Sequence, residues 1–378
     1  MVENMKKLLK YKIDKFIIIP IILFIVVSLI SIYSAQEIVG KNDLVLRQGL
    51  WYIIGLIVIF FIMFIGNNSI YKSSWILYII GNIFLFLLLI FGKEINNARC
   101  WFSIPGVGTI QPSEFMKIIL IIILGKSIND FNEKYKNPSI KEEFVFLLKI
   151  GFIVLIPSIL TFLEPDTGVV LIYLLITIIM LFISGIRYRW FIILFLFLGI
   201  FIFSVLIIYH INQDLFIKIF GTSFFLRVDR LLDWKSGSGY QLSSGLISIG
   251  SANIFGHGFN KTPLYFPEAA TDFIFAVFAS NFGLFGSLLL FGIIAFFDIK
   301  LIKMATKSDK LINKYIIAGI VGMLIYQQFQ NIGMTYGLMP ITGITLPFIS
   351  YGGSSLLSYM IMLGIIFNIS NDNLKDIN

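Results

Sequence analysis

Two carboxylates lie four residues apart in the stretch YFPEAATDFIFAVF, residues 265–278, at the start of a long apolar run. Positions i and i+4 share a face of a helix, so Glu268 and Asp272 are expected to point into one cavity as reactive or ligand-binding groups. The alternative is that Asp272 caps the helix that follows, because acids are favoured near a helix N-terminus. A cap requires neither the second acid nor Pro267 ahead of it.

Ionisable and aromatic residues form a second cluster in NNARCWFSIPGVGTIQPSEFMK, residues 96–117. Arg99 and Trp101 lie in a connection between apolar runs, and Glu114 and Lys117 lie where the next run begins. The i, i+3 spacing of the last two suits a plain salt bridge, and Trp101 alone suits an interfacial belt. Ionisable residues inside a membrane span are costly, however, and usually face the interior of a bundle or water.

Two further clusters are rich in turn-forming residues. LEPDTG, residues 163–168, places two acids around Pro165, which is also the pattern of a plain hairpin turn. NIGMTYGLMPITGITLPFISYGGSSLLSYM, residues 331–360, has too many glycines and prolines for a regular lipid-facing helix. Irregular backbone at membrane depth is tolerated only where it is buried in protein or lines a wet cavity. Close helix packing through small residues is the alternative for this segment.

The apolar runs between these clusters define the fold class. Of the 378 residues, 58% are hydrophobic and 13% are charged, whereas a soluble domain is about 45–50% apolar and about 25% charged. Runs of roughly 18 or more apolar residues are typical of membrane spans. We therefore predict an all-α polytopic membrane protein, a single domain over 1–378, with about ten spans at 16–34, 49–66, 74–92, 113–128, 144–163, 168–186, 190–211, 272–297, 315–337 and 354–370.

The connection between the seventh and eighth predicted spans, residues 212–271, is the only one long enough to carry structure of its own. Within it, LRVDRLLDW has helical spacing, and Leu226, Leu231 and Trp234 are available to lie on the membrane surface. At the other end of the chain, the basic N-terminus resembles a signal peptide. The apolar run from Phe16 to Tyr33 exceeds the about 7–15 residues of a signal h-region, so we interpret it as an uncleaved first span.

Cysteine and histidine usage excludes several classes of protein. Cys100 is the only cysteine, which rules out an internal disulfide framework. The only histidines are His210 and His257, so the sequence has no Cys/His cluster for zinc and we predict no metal held by protein side chains alone. The net charge of +8 suits nucleic acid in a soluble protein, but in a membrane protein the positions of basic residues set the orientation instead.

Lysines and arginines are unevenly distributed between the two sides of the predicted bundle. The N-terminus, the connections that follow the even-numbered spans and the C-terminus hold 18 lysines and arginines. The other side holds nine, or four when the segment 212–271 is left out. Long segments count weakly in the positive-inside rule. Both termini are therefore expected in the cytoplasm, which puts residues 93–112, 164–167, 212–271 and 338–353 outside. All four polar clusters lie on or near that outer face.

Taken in order, the clusters closely resemble the SEDS family of shape, elongation, division and sporulation proteins, from about Ser31 to Ile369. ARCWF and QPSEFMK resemble the family's GARRWI and QPSE-A-K, and GYQLSSGLISIGSANIFGHG resembles GYQ…S-IAIGSGG-FGKG. FPEAATDFIFAV resembles LPEAHTDFIFAV, and PITGITLPFISYGGSS is nearly the family consensus. NIGMTYGLMP is more similar to the RodA branch than to the FtsW branch.

The resemblance implies a ten-span peptidoglycan glycosyltransferase that polymerises lipid II outside the cytoplasmic membrane with a class B penicillin-binding transpeptidase as partner. It places the family's essential Asp on Asp272, which we expect to accept the proton of the acceptor hydroxyl in an inverting transfer. Glu268 is expected to raise the proton affinity of Asp272 or to help bind a divalent cation, Mg²⁺ or Mn²⁺. Arg99, Lys117 and Lys261 are candidates for the substrate diphosphate. The residues expected to contact substrate are Arg99, Trp101, Glu114, Lys117, Lys261, Glu268, Ser350 and Ser354.

The chain departs from the family pattern in places. Ala270 stands where a His is common, Ser280 and Asn281 replace an acidic pair, and Asn253 interrupts a Gly-rich turn. The first and the last of these are expected close to the active site. A transporter that flips the same lipid-linked precursor, or an inactive scaffold for a transpeptidase, is the alternative function. The crowding of polar clusters on the outer side favours a one-sided enzyme.

Overall fold

Helices make up most of the structure, a computed structural model that describes residues 11–95, 98–104, 108–233 and 239–375. Three short strands follow the fourth helix. The helices are α1 (Lys15–Val39), α2 (Leu44–Ile65), α3 (Asn67–Lys72), α4 (Ser74–Phe91), α5 (Pro112–Lys134), α6 (Ile140–Leu163), α7 (Thr167–Ile183), α8 (Arg189–Ile211), α9 (Gln213–Phe220), α10 (Thr222–Asp233), α11 (Tyr240–Gly250), α12 (Ile274–Lys307), α13 (Leu311–Thr335) and α14 (Gly353–Lys375).

Several helices begin and end where the local sequence favours it. The carboxylate of Asp14 accepts a hydrogen bond from the N–H of Phe16 at 2.9 Å at the start of α1, and Gly40 ends that helix with a φ of 70°. Ser139 and Glu142 form a reciprocal capping box at the start of α6. Pro112 lies in the first turn of α5, where its missing N–H leaves no helical hydrogen bond unmade.

Within the described residues, seven helices are long and apolar enough to cross a bilayer, namely α1, α2, α4, α6, α8, α12 and α14. This confirms an all-α, multi-pass membrane protein. Each of the other three predicted spans overlaps a helix, namely α5, α7 and α13. Helix α7 has only 17 residues, and α5 and α13 carry more polar side chains. The total of ten spans and the side of the membrane on which 212–271 lies stay predictions.

Burial explains why α5 and α13 tolerate polar residues. Both are enclosed by other helices, and their buried sets include Lys117 on α5 and Gln327 and Asn331 on α13. In contrast, only about a tenth of the apolar window of α8 is buried. The predicted first span belongs to the core, because the ring of Phe24 on α1 stacks on Phe348 with centroids 5.6 Å apart.

The two ends of the bundle differ in what they carry. At one end, the chain before α1 is fixed to the last turns of α14, where the N–H groups of Lys12 and Asp14 donate to Asn371 and Ser370, both at 3.1 Å. At the other end, which we name the loop end, the strands, the α6–α7 turn and the segments before α12 and α14 come together. The loop end holds all four polar clusters.

The strands at the loop end were not predicted. Strands β1 (Lys93–Ile95), β2 (Ala98–Ile104) and β3 (Gly108–Ile110) form an antiparallel sheet in the order β1-β2-β3. Lys93 lies opposite Trp101, and Phe102 lies opposite Ile110. Strands of three to seven residues are too short for their alternation to stand out in the sequence.

The long connection 212–271 contains helices α9, α10 and α11. The helical prediction for LRVDRLLDW is confirmed as far as Asp233, where α10 ends. Leu226 is exposed, whereas Trp234 and the side chain of Leu231 lie outside the described residues. An aromatic cluster with Tyr209 and Phe216 at its centre joins α8, α9 and α10. Whether α10 lies on the membrane surface stays a prediction.

Helix α12 is broken at Gly283, where φ is 64° and ψ is −159°. The break frees backbone groups on both sides, and residues 253–258 bind them. The N–H groups of residues 257 and 258 donate to the carbonyls of residues 280 and 281, and those of residues 284 and 285 donate to residues 253 and 254, all at 2.9–3.1 Å. The interruption therefore leaves these backbone groups paired.

Candidate active site at the loop end

Asp272 lies in a series of turns that precede a helix. Residues 267–273 form turns, and Glu268 has a φ of 54°, in the left-handed region that interrupts a helix. The carboxylate of Glu268 accepts a hydrogen bond from the hydroxyl of Thr271 at 2.7 Å. The prediction that Glu268 and Asp272 share a helical face is therefore wrong, because α12 begins only at Ile274.

The alternative prediction, that Asp272 caps α12, is also wrong. Phe273 occupies the cap position, and no side chain caps this helix. The carbonyl of Asp272 accepts from Nδ2 of Asn331 at 2.8 Å, but its carboxylate has no hydrogen-bond partner among the described residues. Gly343 leaves room beside it, since a Cβ at that glycine would lie 3.5 Å from Oδ2. The carboxylate is thus positioned by the backbone and left available.

Burial and neighbouring charges raise the pKa of Asp272 to about 7. Partial removal of this half-buried side chain from water is the largest cause, and the negative charges of Glu268 and Asp166 add to it. Glu268 therefore acts on Asp272 through charge, although the two do not share a helix. A carboxylate with this pKa is divided between its charged and neutral forms near neutral pH, which suits a group that accepts and releases protons.

The turn that carries Asp272 is fixed to the segment 338–352. Nδ2 of Asn331 bridges them, donating both to the carbonyl of Asp272 and to a carbonyl of that segment. The hydroxyl of Ser350 donates to the carbonyl of Thr271 at 2.7 Å. Ser350 therefore positions the turn, while its predicted contact with substrate stays a prediction. The part of this irregular segment at residues 346–350 is buried in protein, whereas Leu338 and Gly343 are exposed.

Glu114 and Lys117 form a buried ion pair one turn into α5. Nζ of Lys117 lies 2.8 Å from Oε2 of Glu114, and the lysine side chain is 0% exposed. The ammonium also lies 5.5 Å from the centre of the Tyr359 ring. Gln327 donates to the hydroxyl of that tyrosine at 3.0 Å. The predicted salt bridge is confirmed, and a direct contact of either residue with substrate stays a prediction.

Asp166 links this ion pair to Asp272. Its Oδ1 accepts from the N–H of Val169 at 3.2 Å and caps α7, while its Oδ2 accepts from Gln111 at 2.8 Å and Ser113 at 3.3 Å. Burial is the main cause that raises the pKa of Asp166 to about 6. The negative charge of Asp166 in turn raises the pKa of Asp272. The charges of four carboxylates and one lysine are therefore linked in one cluster, namely Glu114, Asp166, Glu268, Asp272 and Lys117.

Sequence reasoning left Asp166 out of the site. The sequence LEPDTG is compatible with a plain turn, and in the structure Asp166 both caps α7 and accepts a hydrogen bond from Gln111 in the polar cluster. The usable signal is the position of this turn on the same side of the bundle as the other clusters. The other acid of this turn, Glu164, has a higher pKa than Asp166. Burial and the charge of Asp166 raise the pKa of Glu164 to about 9 and keep it neutral.

Three predicted substrate contacts lie at the surface of the loop end. Arg99 on β2 is exposed and pairs with Glu94 at 3.3 Å. Trp101 is half-buried on the same strand, and Lys261 is exposed in the chain after α11. None of the three has a described hydrogen bond to Asp272. Their roles toward a ligand stay predictions.

Ser354 connects the starts of two central helices. Its hydroxyl accepts from the N–H of Gln111 at 2.9 Å and donates to the carbonyl of Thr109 at 3.4 Å. These contacts hold the start of α14 against β3 and the start of α5. The structure therefore gives Ser354 a positioning contact, and its predicted contact with substrate stays a prediction.

The four departures from the family pattern fall in two places. Ala270 is buried beside Asp272, and its carbonyl accepts from the N–H of Tyr351 at 2.9 Å. The carbonyl of Asn253 accepts from residue 284 at the break of α12. Ser280 and Asn281 lie at the same break and are 0% and 1% exposed. Only Ala270 belongs to the turn that carries Asp272, whereas Asn253 belongs with the broken helix.

The carboxylates at the loop end offer oxygen ligands but no complete metal cage. Among the described residues, no group of three or more His, Cys, Asp or Glu side chains is placed to hold a metal ion. Mg²⁺ commonly binds through one or two carboxylates together with substrate phosphates. Glu268 provides that kind of donor, so its help in binding a divalent cation stays a prediction tied to a phosphorylated substrate.

Fold and site together define a multi-pass helical membrane protein with a cluster of carboxylates at one end of its bundle. The chain matches the family described as "Cell cycle protein", which groups FtsW, RodA and SpoVE, over residues 8–375. It belongs to this family, and the resemblance to SEDS proteins is confirmed. The preference for the RodA branch stays a prediction.

Individual relatives agree with this assignment. The chain is 33% identical to stage V sporulation protein E of Bacillus subtilis, over 94% of this chain and 96% of that protein. It is 34% identical to the probable peptidoglycan glycosyltransferase FtsW of Coxiella burnetii, over 74% and 73%. A chain from the solved structure of a peptidoglycan synthase complex superposes with a TM-score of 0.77 at 25% identity, over 96% of this chain and 99% of that chain.

Proposed function

We propose that this protein is a peptidoglycan glycosyltransferase that polymerises lipid II at the outer face of the cytoplasmic membrane. Membership of a family with members named peptidoglycan glycosyltransferases supports the reaction class. The single observation that carries the proposal is the carboxylate of Asp272. It is held by its backbone, without a described hydrogen-bond partner, in the polar cluster at the loop end.

The reaction needs a base and a stabilised leaving group. The hydroxyl oxygen of the acceptor sugar attacks the anomeric carbon of the donor, and the bond from that carbon to the diphosphate breaks with inversion. Asp272 accepts the hydroxyl proton, and the diphosphate departs with the bonding electrons. Proton transfer by a placed side chain contributes typically about 10²–10⁴-fold. A pKa of about 7 leaves enough of Asp272 charged to act near neutral pH.

Positive charge for the diphosphate comes from residues around the carboxylates. Lys117 is fixed inside the bundle, while Arg99 and Lys261 lie exposed at its rim. We assign the two exposed side chains to capture of the diphosphate, and Lys117 to the electrostatic balance of Glu114 and Asp166. Glu268 would help hold a divalent cation, which would supply further positive charge to the diphosphate. Preorganised charge of this kind stabilises a leaving anion.

Closure of the bundle beneath the site favours an enzyme over a transporter. Below Lys117, the next turns of α5 are apolar, and Leu120, Ile121 and Leu124 are at most 1% exposed. A transporter has to open its binding site to both faces in turn. The packed turns of α5 lie between the polar cluster and the other end of the bundle, so substrate reaches the cluster from the loop end.

The test is polymerisation by the purified protein in detergent or liposomes, with lipid II and Mg²⁺, read as glycan chains on a gel. Asp272→Asn should lower the rate by about 10²–10⁴-fold or more. Asp309→Asn makes the same change at an exposed site between α12 and α13 and should leave the rate unchanged. Full activity of Asp272→Asn would remove it from the base role. Absence of polymer from wild-type protein, alone and with a class B penicillin-binding protein, would favour the scaffold.

The proposed partner is a class B penicillin-binding transpeptidase. Its support is the similarity to a chain from a peptidoglycan synthase complex. Co-purification of the two full-length membrane proteins tests the pairing, and the polymerisation assay with and without the partner tests whether it changes the rate.

A further inference from the structure

Residues 240–260 combine features that a water-exposed loop rarely has. The segment contains α11 and the stretch that fills the break in α12, and none of its 21 residues is Asp, Glu, Lys or Arg. Large apolar side chains form much of its exposed surface: Phe255 is 77% exposed, and Ile247 and Ile254 are each 58% exposed. Contiguous apolar surface of this kind marks contact with another protein or with a membrane.

The exposed polar side chains of the segment are bonded within the protein. The hydroxyl of Ser251 donates to the carbonyl of residue 247 at 2.7 Å and lies 3.0 Å from Nε2 of His257. Nδ2 of Asn253 donates to the carbonyl of Ser251 at 3.1 Å, and the hydroxyl of Tyr240 donates to the carbonyl of Tyr265 at 3.1 Å. Side chains paired in this way avoid most of the cost of leaving water.

The irregular backbone of the segment is hydrogen-bonded to α12 at the break of that helix. Residues 253, 254, 257 and 258 exchange four hydrogen bonds with the broken part of α12. Gly256 and Gly283 allow the close approach, because a Cβ on Gly283 would lie 2.4 Å from the backbone nitrogen of Gly256. Non-helical backbone is tolerated at membrane depth only when other parts of the protein bind its polar groups.

The position of the break sets the depth of the segment. Residues 273–297 of the chain include no charged side chain and span about 37 Å as a helix at 1.5 Å per residue. A hydrocarbon core of about 30 Å takes about 20 residues. Any stretch of 20 residues chosen within 273–297 includes Gly283. In each such stretch Gly283 lies at least five residues, or about 8 Å, from either end. The bonded residues 253–258 must lie at the same depth.

The exposed surface of the segment continues that of α12. The ring of Phe255 lies 6.3 Å from the ring of Phe285, which is itself 55% exposed. Leu284 and Leu288 beside it are 54% and 57% exposed on a helix apolar enough to span the membrane. Lipid chains that cover this face of α12 therefore reach Phe255 as well.

We propose that residues 240–260 form a re-entrant segment that enters the hydrocarbon core beside α12, with Ile247, Ile254 and Phe255 in contact with lipid chains. The surface binds the bilayer itself, not a soluble partner. The expected outer connection 212–271 is then outside the membrane only in part. Lys261, the first charged residue after the segment, should then lie at the membrane surface.

Site-directed spin labelling tests this inference in the full-length protein, reconstituted alone in phosphatidylcholine and phosphatidylglycerol vesicles. Cys100 is the only cysteine and is 3% exposed, so a Cys100→Ser background allows single labels. Labels at Phe255→Cys and, separately, Ile247→Cys should collide readily with oxygen. They should lose access to a water-soluble nickel chelate, as expected inside hydrocarbon.

Two reference positions calibrate the measurement. A label at Leu288→Cys reports the lipid-facing side of α12, and a label at Lys41→Cys reports the exposed α1–α2 connection at the loop end. The proposal requires Phe255 and Ile247 to match Leu288. Nickel access equal to that at Lys41 would place the segment in water and overturn it. Low access to both reagents would mean that protein covers these residues, which would also overturn it.

Discussion

At the scale of single residues, burial and the charges around Asp272 set the pH dependence of the proposed reaction. Burial and the charges of Glu268 and Asp166 raise the pKa of Asp272 to about 7. A base works in its deprotonated form, so polymerisation should be present above about pH 7 and fall as the pH drops through that value. Glu268→Gln removes a negative charge, so it should lower the pKa of Asp272 and move the acid limb to lower pH. The pH–rate profiles of both purified proteins measure this.

A matched control separates this effect from a general change of charge. Glu37→Gln makes the same substitution at an exposed position near the end of α1 and should leave the acid limb in place. If the profile of Glu268→Gln coincides with that of the wild type, the interaction between the two carboxylates is too weak to tune the base.

The ion pair of Glu114 and Lys117 makes a second prediction at this scale. Lys117→Met leaves a buried carboxylate without its partner, which typically costs about 3–5 kcal/mol. Adding Glu114→Gln removes the uncompensated charge and should restore most of the stability. Thermal unfolding in detergent measures both. Arg47→Met breaks an exposed pair with Asp43 and should cost only about 0–1 kcal/mol; an equal loss for Lys117→Met would mean that the buried pair contributes little.

The residue types of the site were predictable, but their arrangement was only partly so. The sequence indicates Asp272, Glu114 and Lys117 because ionisable groups beside apolar runs are costly. It also suggests a helix over Glu268, where the structure has a turn with positive φ. That turn is held by Asn331, 59 residues away in the sequence from Asp272. Contacts at such separations leave no local pattern in the sequence.

At the scale of elements, the break in α12 depends on glycine. Gly283 has φ 64° and ψ −159°, a region that is essentially limited to glycine, and a Cβ there would meet the backbone of residues 254 and 256 at 2.4–2.6 Å. Gly283→Ala should therefore lower the free energy of unfolding by at least about 1–3 kcal/mol, because the clash of the Cβ adds to the cost of the strained backbone. Thermal unfolding in detergent provides the measurement.

Another glycine in the same helix serves as the control. Gly292 lies in regular helix with open space around its Cβ position. Gly292→Ala should be neutral or raise stability by up to about 1 kcal/mol, because alanine is the better helix former. Equal effects of the two substitutions would mean that the backbone at Gly283 does not need its observed conformation.

Helices were easier to predict than the elements between them. Long apolar runs locate all ten predicted spans on helices, because length and hydropathy are local properties. The strands of residues 93–110 and the break at Gly283 escaped prediction. Each strand is short, and the break is stabilised by residues 253–258, about 25–30 positions earlier in the chain. Its stabilising partner therefore lies outside any window used to find a span.

At the scale of the whole molecule, packing decides which spans carry polar residues. Helix α14 is largely buried, whereas α8 faces outward along most of its length. Hydropathy alone ranks α8 as a strong span and α5 as a weak one, yet α5 carries the buried ion pair. The interior position of a helix follows from contacts with several others, which a single sequence does not specify.

Orientation gives the last prediction, because the proposed reaction requires the loop end to lie outside. The count of 18 lysines and arginines against four predicts cytoplasmic termini. Alkaline phosphatase fused to the C-terminus should therefore be inactive, and the same enzyme inserted after Lys41 should be active. The reverse pattern would place Asp272 in the cytoplasm, where a base has no access to substrate presented at the outer face. The topology measurement thus tests the proposed site without any assay of polymer.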